Sequence, residues 1–114
     1  EYIQRFESIK FISPVSYIDM IQLESGSKMI ITDSGGVQKE AYFFEKPCLI
    51  LQDETPWVEL LNNGSSILVG NDPQRIIDGF RVLLRGSSEF EYPQLYGDGR
   101  SASFITEEIL KYFE

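Results

Sequence analysis

Apolar residues fall along the chain in two alternating patterns. Short unbroken runs occupy residues 9–12 (IKFI), 28–32 (KMIIT), 47–51 (PCLIL) and 65–69 (SSILV). Their length and the turn-forming residues around them predict short strands covered on both faces. Ile30 and Ile31 stand at the centre of the second run. Between the runs, apolar residues recur at helical spacing. Residues 15–23 place Tyr17, Ile18 and Ile21 on one face, and residues 36–44 place Val37, Ala41 and Phe44 inward. Residues 56–62 read as a short helix. Residues 73–85 carry Ile76, Ile77, Phe80, Leu83 and Leu84 on one side. Residues 100–113 turn Phe104, Ile105, Ile109, Leu110 and Phe113 inward.

Punctuation between these segments supports the same boundaries. Ser13-Pro14 stops the first run, and Ser16 is placed to cap the first helix. Ser25-Gly26-Ser27 breaks that helix, and Lys46-Pro47 ends the next, because proline disfavours helix in the residue before it. Pro56 suits a first helical position, and Asn63-Gly64 closes that segment. Asp72-Pro73 is an N-cap followed by N1. Gly86-Ser87-Ser88 and a loop holding Pro93 and Tyr96-Gly97-Asp98-Gly99 precede the last helix. The order β-α-β-α-β-α-β-α-loop-α predicts an α/β fold. Right-handed crossovers make it a doubly wound, Rossmann-like parallel sheet.

Composition narrows the function. With 114 residues the chain fits a single domain spanning 1–114, without repeats or an interdomain linker. Its formal net charge of -8, from 18 acidic and 10 basic residues, argues against nucleic-acid binding. One anionic small ligand is still allowed, since backbone N–H groups at a helix start hold phosphate regardless of net charge. There is no histidine and only one cysteine, Cys48, so neither a zinc site nor an internal disulfide is expected. Cys48 sits inside a strand run and reads as core, in a reducing compartment. No apolar run approaches the roughly 18 residues of a membrane helix. Glu1-Tyr2-Ile3-Gln4-Arg5 looks like neither a secretory signal nor an initiation site, which reads as a fragment or a trimmed chain.

The chemistry-bearing stretch is the junction Asp33-Ser34-Gly35-Gly36, between a predicted strand and a predicted helix. In doubly wound sheets, ligands bind beyond the carboxyl ends of the strands, at the switch point. Glycine permits unusual dihedrals and close backbone approach. The first helical N–H groups have no intrahelical acceptor and carry partial positive charge. A diphosphate fits such a site, with the Ser34 hydroxyl as a further donor. Glu40, one turn beyond Gly36, is placed to accept both hydroxyls of a ribose. The same residues also read as a tight turn capped by Ser34, with Glu40 favouring the helix dipole. The pattern is neither a Walker loop nor GxGxxG. Asp53-Glu54 reads as a solvated acidic pair, and Asp98 as a turn stabiliser.

The segment Thr32-Asp33-Ser34-Gly35-Gly36-Val37-Gln38-Lys39-Glu40-Ala41 resembles the signature of the non-hydrolysing UDP-N-acetylglucosamine 2-epimerase family. The likeness continues through Lys46-Pro47-Cys48-Leu49-Ile50-Leu51 and Asp53-Glu54-Thr55-Pro56-Trp57-Val58-Glu59. It then extends to Gly64, Leu68-Val69-Gly70 and Tyr96-Gly97-Asp98-Gly99, and so covers nearly the whole chain in order. Gln38-Lys39-Glu40-Ala41-Tyr42-Phe43-Phe44, followed by Pro47-Cys48, is similar to the branch acting on UDP-2,3-diacetamido-glucuronate. The resemblance implies a two-domain fold of the glycosyltransferase-B type with the ligand in the interdomain cleft, this chain being most of the C-terminal half. It implies inversion at C2 of a UDP-sugar, by elimination and re-addition of UDP, with no metal or nicotinamide cofactor. The acid/base carboxylates and a functional histidine lie upstream in such enzymes. This chain is therefore expected to bind UDP and to hold no catalytic residue. A cytoplasmic homodimer in polysaccharide biosynthesis is implied at full length, with no membrane or nucleic-acid partner.

Carried over by position, Ser34, Gly35 and Gly36 hold the diphosphate and Glu40 the ribose. Met20 falls where a side chain packs on the uracil, and Val15 where the backbone meets the base edge; both also fit plain core positions. Trp57 falls where some members place a nucleotide-contacting arginine, and Tyr17 reads as a packing residue. Two positions depart from the family. Gln52 replaces the usual arginine, which weakens anion stabilisation. Pro56 replaces a glutamate and removes a backbone donor. Two alternatives stand beside the epimerase half: a UDP-sugar glycosyltransferase of the same architecture, and a nonenzymatic nucleotide-sugar sensor, to which Gln52 and Pro56 point.

Overall fold

The computed structural model describes residues 6–113; the reading of residues 1–5 as neither signal nor start lies outside them. Helix α1 spans Tyr17–Gly26, β1 Ile30–Thr32, α2 Gly35–Phe43 and β2 Cys48–Ile50. A 3-10 turn follows at Val58–Leu61, then β3 Ser66–Leu68, α3 Pro73–Gly86 and α4 Ser101–Phe113. The strands form one parallel sheet in the order β1-β2-β3. Ile30 lies beside Cys48 and Cys48 beside Ser66.

The central strand explains the layering. Successive side chains of β2 point to opposite faces. Cys48 and Ile50 join Ile30 and Ala41 in one core cluster, under α2. Leu49 joins Val69 and Leu83 in the other, under α3. Both faces of the central strand are thus covered, as a run such as PCLIL requires. Gly79 lets α3 lie close: a Cβ there would stand 2.8 Å from Leu49 Cδ2 and 2.9 Å from Val69 Cγ1.

The helix starts follow the sequence closely. Ser16 Oγ accepts from Asp19 N at 3.2 Å, and Asp72 Oδ1 accepts from Gln74 N and Arg75 N at 2.8 and 2.9 Å. The end of α2 is a Schellman-type stop. Lys46 N donates to Ala41 O and Glu45 N to Tyr42 O. Glu45 takes the left-handed conformation there, with φ +55°, where glycine is usual.

Several expectations are corrected. Residues 9–12 form no strand, and Phe11 and Ile12 are exposed, because no described strand offers them a ladder partner. The three described strands show no reversal of order, so the turn after β1 sits beyond strand ends and not at a visible switch point. Ile31 is exposed, because α3 lies over β2 and leaves that face of β1 open. Residues 56–62 make a single 3-10 turn in place of a helix, and Trp57 gives it no side-chain cap. On α2 the buried face is Gln38, Ala41 and Tyr42, with Val37 and Phe44 only half-buried. Tyr17 and Ile18 of α1 are exposed; Ile21 and Glu24 turn inward instead. On α3 the buried residues are Gly79 and Leu83, while Ile77, Phe80 and Leu84 are exposed. The apolar face of α4 is uncovered, with no residue of the helix buried. Among the described residues, no helix is long and apolar enough to cross a membrane.

Candidate functional site

The turn Asp33-Ser34 leaves the carboxyl end of β1 and enters α2 directly. Ser34 is the N-cap: its backbone is extended and its Oγ accepts from Val37 N at 3.5 Å. Its own N–H donates to Thr32 Oγ1 at 3.0 Å. Gly35 and Gly36 are the first two helical residues, whose N–H groups have no intrahelical acceptor. Neither has positive φ, so unusual dihedrals are not the reason for glycine here. Close approach is: a Cβ on Gly35 would lie 3.3 Å from Trp57 Nε1.

Side chains from the loop after β2 hold the back of this turn. Gln52 Nε2 donates to Asp33 O at 2.7 Å, and Trp57 Nε1 donates to Gly35 O at 3.1 Å. Gln38, fully buried on α2, joins the two supports. Its Nε2 donates to Gln52 Oε1 at 3.2 Å, and its Oε1 accepts from Thr55 Oγ1 at 2.6 Å. Thr55 Oγ1 in turn accepts from Trp57 N at 3.2 Å. The Asp33 and Gly35 carbonyls are thus engaged from one side, while the first N–H groups of α2 are left for a ligand. Gln52 brings no charge, but it donates where the turn needs a donor. Gln38→Leu leaves Gln52 Oε1 and the Thr55 hydroxyl without this partner, at a cost of about 1–3 kcal/mol. Chemical denaturation is expected to register that loss, alongside a weaker grip on any anion at the turn.

Lys39, Trp57, Tyr96 and Glu59 form a second group beside the turn. Lys39 Nζ lies 3.5 Å from the centre of the Trp57 ring and 4.5 Å from that of Tyr96. These are cation–π distances. Tyr96 donates to Glu59 Oε1 at 2.7 Å. That bond lowers the Glu59 pKa, while burial and then the same bond raise that of Tyr96.

Glu40, half-buried, faces α1. The Tyr17 side chain reaches toward its carboxylate, and this side-chain interaction, followed by the Glu40 charge, raises the Tyr17 pKa. Tyr17 is therefore a partner of the candidate ribose-binding carboxylate and not a packing residue. Met20 lies one turn along the face that carries Tyr17 and Glu24, and is 40% exposed, so it is open to a ligand and not core. Val15 precedes the N-cap and is also exposed, so its core reading fails too. Cys48 is fully buried, which pushes its thiol pKa up to about 12 and keeps it inert. Asp53 is solvated and pairs with Arg75 at 3.4 Å.

Sequence reasoning missed Gln38 and Thr55, and read Tyr17 only as packing. The one available signal was a polar residue, Gln38, within the run that carries Val37 and Ala41. The supports are tertiary contacts 14 to 22 residues apart, which local spacing does not show.

A small parallel sheet flanked by helices, with a capped helix start beyond its strand ends, defines an α/β domain of the Rossmann-like, glycosyltransferase-B type. The sequence profile of UDP-N-acetylglucosamine 2-epimerase matches residues 1–110, and the chain belongs to that family. It is 43% identical over 107 residues to a UDP-N-acetylglucosamine 2-epimerase homolog of Methanococcus maripaludis, covering 94% of this chain and 29% of that protein. It is 45% identical over 103 residues to the UDP-2,3-diacetamido-2,3-dideoxy-D-glucuronate 2-epimerase of Pseudomonas aeruginosa, covering 90% of this chain and 29% of that protein. Among solved structures, the UDP-GlcNAc 2-epimerase of Methanocaldococcus jannaschii in complex with UDP-GlcNAc and UDP superposes with a TM-score of 0.84 at 35% identity. That match covers 97% of this chain and 30% of the other. The chain thus spans less than a third of the length of these relatives.

Proposed function

We propose that this chain is the C-terminal, UDP-binding half of an enzyme that inverts C2 of a UDP-sugar by eliminating UDP and adding it back. The observation that carries this reading is the helix start at Ser34-Gly35-Gly36. Its carbonyls are engaged by Gln52 and Trp57, and Glu40 stands one turn further on. Backbone N–H groups held rigidly in this way suit a diphosphate. Glu40 suits a vicinal diol, because an ionised carboxylate accepts from both hydroxyls. The acid/base residues are expected in the other half, and the cleft between the halves encloses the sugar. A UDP-sugar carrying an acidic ring, of the diacetamido-glucuronate kind, is the substrate favoured by Gln38 to Phe44 and by the Pseudomonas relative. The full-length protein is expected to be a cytoplasmic homodimer.

Calorimetric titration with UDP tests the reading, on this chain and on the full-length protein, alongside Ser34→Ala. Loss of the Ser34 hydroxyl from a charged acceptor is expected to weaken UDP about tenfold. Absence of UDP binding by a folded full-length protein would sink the proposal. Binding that ignores Ser34 would move the diphosphate elsewhere.

A further inference from the structure

Glu24 has no place in the site described so far, yet among the described residues it is the acidic side chain most enclosed by the fold. It is 5% exposed, and both carboxylate oxygens are shielded from solvent with no hydrogen-bond donor of the fold reaching them. A buried, unpaired carboxylate is costly as an anion. The titratable groups facing it are Glu40 from α2, the Cys48 thiol from β2 and Tyr17 from its own helix. No lysine or arginine among the described residues pairs with it. We infer that Glu24 carries a proton and donates it in a hydrogen bond to Glu40, which makes Glu24 a positioning residue for the ribose-binding carboxylate. This rests on the reading of Glu40 given above.

Two further facts support the assignment. Burial first, and the Glu40 charge second, raise the Glu24 pKa, which favours the neutral acid. The acceptor capacity also fits. An ionised carboxylate offers about four lone-pair sites. A proton donated by Glu24 takes one on Glu40, which leaves room for the vicinal hydroxyls of a ribose. Since its oxygens are shielded from solvent, Glu24 acts on the ligand only through Glu40.

The sign with pH follows. A raised acid keeps its proton where an exposed glutamate has lost it, and releases it as pH rises through the raised value. Glu24 then becomes a second anion against Glu40, and the hydrogen bond is lost. Glu24→Gln keeps a donor at every pH.

The test measures UDP affinity of the full-length protein from about pH 4 to about 9, a window that runs upward from the ordinary glutamate range. Wild type, Glu24→Gln and Glu24→Leu are compared, so that ionisation of UDP itself cancels in the ratios. Relative to Glu24→Gln, wild type is expected to lose about tenfold in affinity across the window, and Glu24→Leu to bind about tenfold more weakly throughout. Carboxyl carbon NMR is expected to show Glu24 titrating above the ordinary range, with the Glu40 signal following it. Superimposable profiles for wild type and Glu24→Gln, or an ordinary Glu24 titration, would overturn the inference. Glu40→Ala separates the two claims: unchanged UDP affinity there overturns the ribose reading, and the positioning role with it, even if NMR shows the carboxyl pair.

Discussion

Gly36→Val is expected to weaken UDP binding at least about 100-fold, or about 2.8 kcal/mol, while leaving the domain folded. Gly36 is the second residue of α2, and its φ is not positive. A Cβ there meets only Ser34 Oγ, at 3.8 Å, an ordinary contact. The backbone therefore accepts valine, and helix propensity shifts by only about 0.5 kcal/mol. The new methyl groups, however, stand at the helix start beside the N–H groups that would receive the diphosphate. A phosphate held there needs direct approach to the backbone, which a branched side chain blocks. Calorimetry with UDP, run beside a thermal melt, checks both halves of the expectation. Near-wild-type affinity in a folded variant would remove the diphosphate from this turn. A collapsed melting transition would instead show that Gly36 is needed for folding.

Leu49→Ala is expected to destabilise the domain by about 2–5 kcal/mol, the range for truncating a fully buried leucine. Leu49 is the middle residue of the central strand and is fully buried. It packs with Val69 and Leu83, and α3 approaches it at Gly79, where a Cβ would stand 2.8 Å from Leu49 Cδ2. The helix already lies close to the sheet, with no side chain at position 79 that might swing in to fill the void. The cavity therefore persists. Against a typical total of about 5–15 kcal/mol, such a loss is severe. Denaturant unfolding with an unchanged slope is the measurement. A loss under about 1 kcal/mol would mean that α3 settles onto the sheet and closes the gap.

The main elements were legible because their signals are local. Unbroken apolar runs at residues 28–32, 47–51 and 65–69 became the parallel strands, and Ser16, Ser34 and Asp72 became N-caps. Capping and strand burial depend on neighbours a few residues apart, so spacing reports them. Residues 9–12 misled for the same reason: an apolar run states a preference for extension, and only a ladder partner makes it a strand. The inward face assigned to α4 failed likewise, because periodicity shows which side is apolar and not what covers it.

The site divides in the same way. Sequence alone determined the turn at Ser34-Gly35-Gly36, the start of α2 and the position of Glu40 one turn on, since all lie within a single strand-to-helix junction. It also determined the family, through a motif that runs nearly the length of the chain. Tertiary structure decided what holds the turn and what faces Glu40. Gln52 and Trp57 reach the carbonyls of Asp33 and Gly35 across the loop after β2, and Gln38 joins them from within the core. Tyr17 and Glu24 reach Glu40 only because α1 packs against α2. The physical reason is range: dihedral preference and capping act over a few residues, whereas hydrogen bonding, burial and charge act between residues that only the folded chain brings together.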